Sequence, residues 1–342
     1  MTARANWPSR EGVIEMINRR KALGLGAGSA ALAAMGGITP AALAATGDVQ
    51  PPSEDELARS LPGDFRGATA QAGAVQLYYV AGGQGEPLFL LHGWPQTWWA
   101  FRKVMPSLAE RYRVIAVDLR GIGGSDKPAS GYDKKTMALD IYELASTLGY
   151  EKINIAGHDI GAQVAFSFAV NHPEATNKVS LLSVTHPDES YYSTPLLPAP
   201  GSGGINLWWH AFNQVSTLPA QLITGRASYL TNWIFDDFLV NTAAMTALDR
   251  AVFASAYNYP AAVNASNGWF QAWNQDIADM NTYGKVTAPM LGLATVGFYQ
   301  AMLAVLPGEG TDVQIEEVND AGHYFLSEQP EVVVEAFFKF FG

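Results

Sequence analysis

The stretch GHDIG, residues 157–161, places a carboxylate, Asp159, at the centre of a glycine-flanked turn that follows the apolar run KINIA. A strand leading into Gly-x-nucleophile-x-Gly normally displays a serine there. Serine suits an acyl carbon, because the acyl-enzyme is an ester that water cleaves. A serine attacking a saturated carbon would form an ether, and water would not release it. A carboxylate attacking the same carbon forms an ester, and water attacking the carboxylate's own carbonyl carbon restores the enzyme. Asp159 therefore implies a substrate with an electrophilic sp3 carbon, such as an epoxide or an alkyl halide. The competing structural explanation is that Asp159 only caps the helix after it.

A nucleophile of this kind needs a strand to deliver it and a helix to leave by. KINIAGHD reads as that strand and GAQVAFSFAVNHP as that helix. Upstream, VQLYYVAGG alternates like a half-exposed strand, while PLFLLHG and RVIAVDLRG are continuous apolar runs, the pattern of buried parallel strands. WWAFRKVMPSLAERY has helical spacing, and KKTMALDIYELASTLGY is an amphipathic helix closed by Gly149. KVSLLSVTHP is a further strand. Strands alternating with helices predict an α/β protein with a mostly parallel sheet and helices on both faces. The alternation stops near residue 185. From Pro187 to about Tyr283 there is no convincing strand, and the segment is rich in Trp, Phe, Tyr and Asn. It resumes with APMLGLATV, a helix, DVQIEEVNDAGH and the closing helix EQPEVVVEAFFKFF. The expected organisation is a core over 46–184 and 285–342, with an inserted helical cap over 185–284 above the strand ends, where open α/β sheets bind ligands.

Residues 1–45 read as a separate segment. Arg19, Arg20 and Lys21 precede an Ala/Gly-rich apolar run, and Ala42-Leu43-Ala44 matches a small-x-small cleavage site. This is the layout of an export signal, and the paired arginines resemble a twin-arginine signal, implying a periplasmic or extracellular protein. The apolar run is too short and too weakly apolar for a stable membrane span. The net charge of −11 argues against a nucleic-acid partner. Residues 1–45 hold five Lys/Arg against two Asp/Glu, so a mature chain is more acidic still. With no cysteine among the 342 residues, thiol chemistry and disulfides are excluded.

From about Val75 to Gly342 the chain resembles the α/β-hydrolase superfamily. The carriers are HGWP (92–95), DLRGIGGSDKP (118–128), GHDIG (157–161) and AGHYFLSEQP (321–330), in the family's order. HGWP with HDxG points to the epoxide-hydrolase and dehalogenase branch, and the chain looks most like secreted bacterial epoxide hydrolases. The resemblance makes His323 the base that deprotonates the hydrolytic water. It gives the oxyanion hole to the backbone N–H groups of Trp94 and Ile160, and makes Trp94-Pro95 a candidate cis peptide. It leaves His92, Asp118 and Arg120 as braces of their loops. His210, 51 residues after Asp159, matches the lid histidine that protonates the opening ring oxygen.

The chain departs from the pattern at several positions. Haloalkane dehalogenases usually carry Trp after the nucleophile, and fluoroacetate dehalogenases carry arginines near it; here the positions hold Ile160 and Gln163, which favours an epoxide. The partner-tyrosine position of the lid reads as Phe270. The acid that orients the base would fall near Ser183, or near Val296, and no Asp or Glu occurs from Met290 to Gly308. Asp188 and Glu189 are the nearest acids. The motifs call for no cofactor and no metal. The expected partners are a small electrophile and water, with no nucleic acid and no stable membrane insertion; a homodimer is left open. The function expected is opening of a small apolar epoxide to a diol. The alternatives are haloalkane dehalogenation and a catalytically impaired, ligand-binding relative.

Overall fold

The computed structural model describes residues 50–194, 196 and 207–342. The expected export signal lies outside these residues. Eight strands form one sheet: β1 (Arg66–Ala72), β2 (Val75–Gly82), β3 (Glu86–Leu91), β4 (Tyr112–Val117), β5 (Ile153–His158), β6 (Thr176–Leu182), β7 (Met290–Ala294) and β8 (Val313–Glu317). Their spatial order is β1-β2-β4-β3-β5-β6-β7-β8. β1 and β2 form an antiparallel hairpin, β2 pairs antiparallel with β4, and every later pairing is parallel. All six residues of β5 and the last four of β3 are buried. That is why these strands read as unbroken apolar runs rather than alternating ones.

The chain reverses direction across the sheet between β3 and β5, with β4 on one side of β3 and β5 on the other. A crevice opens beyond the carboxyl ends of strands at such a reversal. The register determines what meets there. Leu91 pairs with Gly157 and His158 pairs with Leu182, so the loops beginning at His92, Asp159 and Ser183 emerge side by side.

The helix Lys134–Thr147 starts on Asp133, whose side chain accepts the Thr136 N–H, and ends on Gly149, in the left-handed region with φ +85°. The long helix suggested by WWAFRKVMPSLAERY is instead a 3-10 turn, Trp98–Phe101, and a short helix, Met105–Leu108. Pro106 lacks an N–H, and its ring would collide with the carbonyl four residues back, so the two pieces cannot join.

Between β6 and β7 the described residues contain helices and no strand: Trp208–Gln214, Leu218–Ile223, Ala227–Phe238, Ala247–Ala256, Pro260–Gln271 and Trp273–Met280 are the α-helices. They are fastened to the sheet's loops by buried polar contacts. The fully buried Lys134 Nζ donates to Asp276 Oδ2 at 2.7 Å and to the Trp269 carbonyl at 2.8 Å. Arg102 donates to Asp249 Oδ2 at 2.6 Å, and the Trp99 indole N–H donates to Asp249 Oδ1 at 2.8 Å. The Trp269 indole N–H donates to the Arg120 carbonyl at 3.1 Å, and the Tyr257 hydroxyl to the Gln96 carbonyl at 2.8 Å. Among the described residues no helix is long and apolar enough to cross a membrane.

Removing one member of a buried ion pair leaves the other charge uncompensated, at a cost of about 3–5 kcal/mol. Asp249→Ala should therefore destabilise the fold by about that amount, read as a lower urea midpoint. A midpoint equal to wild type would show that Arg102 and Trp99 find other partners.

Candidate active site

Asp159 directly follows β5 with φ 53° and ψ −122°, a backbone region that residues with a Cβ rarely adopt. Holding it there costs about 1–3 kcal/mol, supplied by the packing around the turn. A Cβ on Gly157 would lie 2.0 Å from the Gly161 carbonyl oxygen, and one on Gly161 would lie 2.1 Å from the Leu91 carbonyl oxygen. The two glycines thus serve the close approach of helix Ile160–Asn171 to the strands.

The Asp159 side chain makes no helix-capping hydrogen bond, which removes the competing structural explanation. Its Oδ1 accepts the Trp94 N–H at 2.8 Å, and the nearby Ile160 N–H favours the charged carboxylate. Oδ2 lies 3.6 Å from His323 Nε2. The side chain keeps 22% of its surface open. Its surroundings strip it of water and push its pKa up to about 6, against the opposing pull of the Trp94 and Ile160 N–H groups. The Trp94-Pro95 peptide is cis.

His323 is held at both ends of its own peptide unit. Its N–H donates to the Phe238 carbonyl at 3.0 Å, and its carbonyl accepts His158 Nε2–H at 2.9 Å. The ring packs against His158, Tyr324 and Phe298, with centroids 4.6, 4.8 and 5.4 Å away. Burial, reinforced by His158, holds its pKa well below the ordinary imidazole value. It is the neutral form, the one able to take a proton from water.

The partner of His323 Nδ1 is the Ser183 hydroxyl, 2.6 Å away. Ser183 is fully buried, has φ 77°, and leaves β6 directly beside Asp159. It occupies the place where the resemblance puts a carboxylate. Asp188 and Glu189 do not substitute for it. Asp188 accepts the Ser190 N–H at 2.8 Å and caps a 3-10 turn, while Glu189 accepts Asn281 Nδ2–H at 3.3 Å. Among the described residues no carboxylate other than Asp159 pairs with His323.

His210 joins an aromatic wall of this site. Its ring is parallel to Tyr191 at 6.5 Å and lies 4.7 Å from Trp273 and 6.1 Å from Phe270. Phe270 packs edge-on against Trp94 at 5.5 Å. Burial pushes the His210 pKa down to about 4, so the imidazole is neutral. Tyr191 is the phenol that the motif reading misses. Burial raises its pKa, and the charge of Asp159 raises it further. The buried Gln163 Oε1 has no hydrogen-bond partner among the described residues. Tyr257 is spent on the Gln96 carbonyl and Tyr324 on the Trp94 carbonyl, at 2.8 and 3.3 Å.

His92 acts as a brace: its Nδ1 lies 3.0 Å from the Gly93 carbonyl and its Nε2 accepts the Leu119 N–H at 3.1 Å. Asp118 accepts the N–H groups of Trp98 and Gly124, and Arg120 forms a two-pronged pair with Asp140.

The family model of the alpha/beta hydrolase fold matches residues 86–204. The soluble epoxide hydrolase of Corynebacterium sp. (strain C12) is 31% identical over 276 residues, covering 80% of this chain and 96% of that protein. The structure of Cfl2 from Burkholderia cenocepacia superposes with a TM-score of 0.77 at 28% identity, over 86% of this chain and 100% of that one. The structure of the epoxide hydrolase CorEH superposes with a TM-score of 0.73 at 30% identity, over 81% and 99%. The chain belongs to the α/β-hydrolase superfamily, and its relatives there include epoxide hydrolases.

A carboxyl group attacks a saturated carbon only in its ionised form. Above its pKa of about 6 the carboxylate is free, and below it the group is protonated. Covalent labelling of Asp159 by an epoxide should therefore fall as pH drops, with a midpoint near 6. Labelling rates from pH 4.5 to 8 check this. A flat profile across pH 6 would mean that the carboxylate is not raised.

Proposed function

We propose that the chain is an epoxide hydrolase that opens a small, fairly apolar epoxide through an ester on Asp159. The observation that carries the reading is the division of labour within one carboxylate. The Trp94 N–H holds Oδ1, while Oδ2 faces His323 and the side chain as a whole keeps open surface.

In the first step Oδ2 forms a bond to a ring carbon, and the ring C–O bond breaks with its electron pair on oxygen. That oxygen accepts a hydrogen bond from His210 and a proton from Tyr191, which solvent replaces. In the second step His323 Nε2 takes a proton from water as the water oxygen attacks the ester carbonyl carbon. The N–H groups of Trp94 and Ile160 face the oxyanion. The tetrahedral intermediate expels the diol oxygen, which takes the proton from His323. Asp159 then ionises again.

The helices between β6 and β7 serve as the cap that supplies the aromatic walls and the proton donors. A second reading, dehalogenation, is favoured by one feature: the buried Trp273 indole N–H beside His210 has no partner among the described residues and could hold a halide. Residues 1–45 act as a twin-arginine export signal cut near Ala44 or Ala45, and N-terminal sequencing of protein recovered outside the cytoplasm tests this.

The mechanism predicts that His323→Gln keeps the first step and loses the second. Incubated with an epoxide panel, this variant should gain the mass of one epoxide on the peptide containing Asp159 and should make no diol. Asp159→Ser should turn over no epoxide, since any ether it formed would stay. An adduct on another residue, or full activity in Asp159→Ala, would overturn the mechanism, and halide release from haloalkanes would select dehalogenation.

A further inference from the structure

We infer that Ser183, standing where an orienting acid is expected, splits the two steps in rate, so that the chain captures an epoxide readily and rests as the Asp159 ester. This rests on Asp159 being the nucleophile of an epoxide-opening hydrolase. Ser183 is a positioning residue that acts through His323.

To act as base at Nε2, His323 must carry its proton on Nδ1 and donate it to Ser183 Oγ, 2.6 Å away. A carboxylate in that place can only accept, so it enforces this tautomer. A hydroxyl both donates and accepts. No second hydrogen-bond partner of Ser183 Oγ occurs among the described residues, so its own proton is best used on Nδ1. Nε2 then carries the imidazole proton and presents it toward Asp159 Oδ2, 3.6 Å away. That tautomer satisfies Ser183 and turns an N–H, with its partial positive charge, toward the ionised Asp159 at 3.6 Å, beyond hydrogen-bond reach, and it cannot accept a proton from water. The hydroxyl thus favours the unproductive form of the base in the free enzyme.

Charge adds to the effect. The water attack makes an imidazolium in a buried site, and a neutral hydroxyl offers it a dipole where a carboxylate would offer a full charge. In a serine-protease triad, replacing the orienting acid by its amide lowers kcat about 10⁴-fold through the wrong tautomer. Ester formation escapes both penalties. It needs an ionised Asp159, a held Oδ1 and a proton donor to the ring oxygen, and no base. The first step therefore keeps its rate while the second slows.

The test uses the full chain with styrene oxide and with 1,2-epoxyhexane. Intact-mass spectra follow adduct formation and, after the epoxide is removed, adduct decay; diol is measured in parallel. Wild type should approach one adduct per chain on the peptide containing Asp159, with diol appearing at the adduct's decay rate. Ser183→Glu and Ser183→Asp should form adduct at the wild-type rate and shorten its lifetime by roughly 10²-fold or more. In these variants the pH midpoint of decay should also move up, because a carboxylate beside the imidazole raises its pKa. A role in packing alone would leave that midpoint unmoved. Diol turnover by wild type without accumulated adduct overturns the inference and leaves the hydrolase reading intact. So does an acid variant that forms adduct normally and releases it no faster. Wild type that gives neither adduct nor diol overturns both. Absence of a wild-type adduct overturns the inference by itself, so poor folding of an acid variant does not rescue it.

Discussion

A single backbone hydrogen bond, from the Trp94 N–H to Asp159 Oδ1, fixes the direction in which the carboxylate works. It exists because β3 and β5 are parallel neighbours with Leu91 opposite Gly157. It also requires Gly93, since a Cβ there would lie 2.3 Å from the Asp159 Cβ. Without that contact Asp159 would be free to turn back onto the first turn of its helix and cap it, as aspartates at this position commonly do. The strained φ, the tight glycines and the bracing of His92 against Leu119 all hold the two loops at this spacing.

The electrostatics of the site follow from the same closeness. His92, His158, His210 and His323 are all held neutral, chiefly by burial, while Asp159 is pushed in the opposite sense. Water-poor surroundings oppose every charge, whatever its sign. A carboxylate poorly solvated yet still ionised at neutral pH gives up little hydration on attack. A neutral imidazole beside it is ready to accept a proton only if its own tautomer is right, which gives the Ser183 contact its weight.

Much of this was legible in the sequence. Glycine spacing announced the turn at Asp159, apolar runs announced the buried strands, and motif order announced the sheet. Gly149 correctly marked a helix end. The break at Pro106 was legible in principle, because proline's missing N–H is a local property, but the flanking apolar spacing outweighed it. Ser183 was recognisable only as the place of an absent acid; that its hydroxyl meets His323 depends on a pairing across 140 residues. Asp188 looked like a substitute because distance along the chain was the only measure to hand, whereas its carboxylate is taken by its own turn. Tyr191 carried no signal, since it lies in a connection with neither periodicity nor motif.

The fastening between the sheet and the helices after β6 has an uneven layout along the chain. Both cations, Arg102 and Lys134, belong to the first half, and both acids, Asp249 and Asp276, come 147 and 142 residues later. As the chain lengthens from its amino end, six of the eight strands are available by residue 182, while two cations destined for burial still lack their counter-charges. Neither can be buried at low cost until the helices arrive. The two ion pairs therefore form only once the helical layer docks, and that docking closes through contacts more than 140 residues apart along the chain, a slow kind of closure.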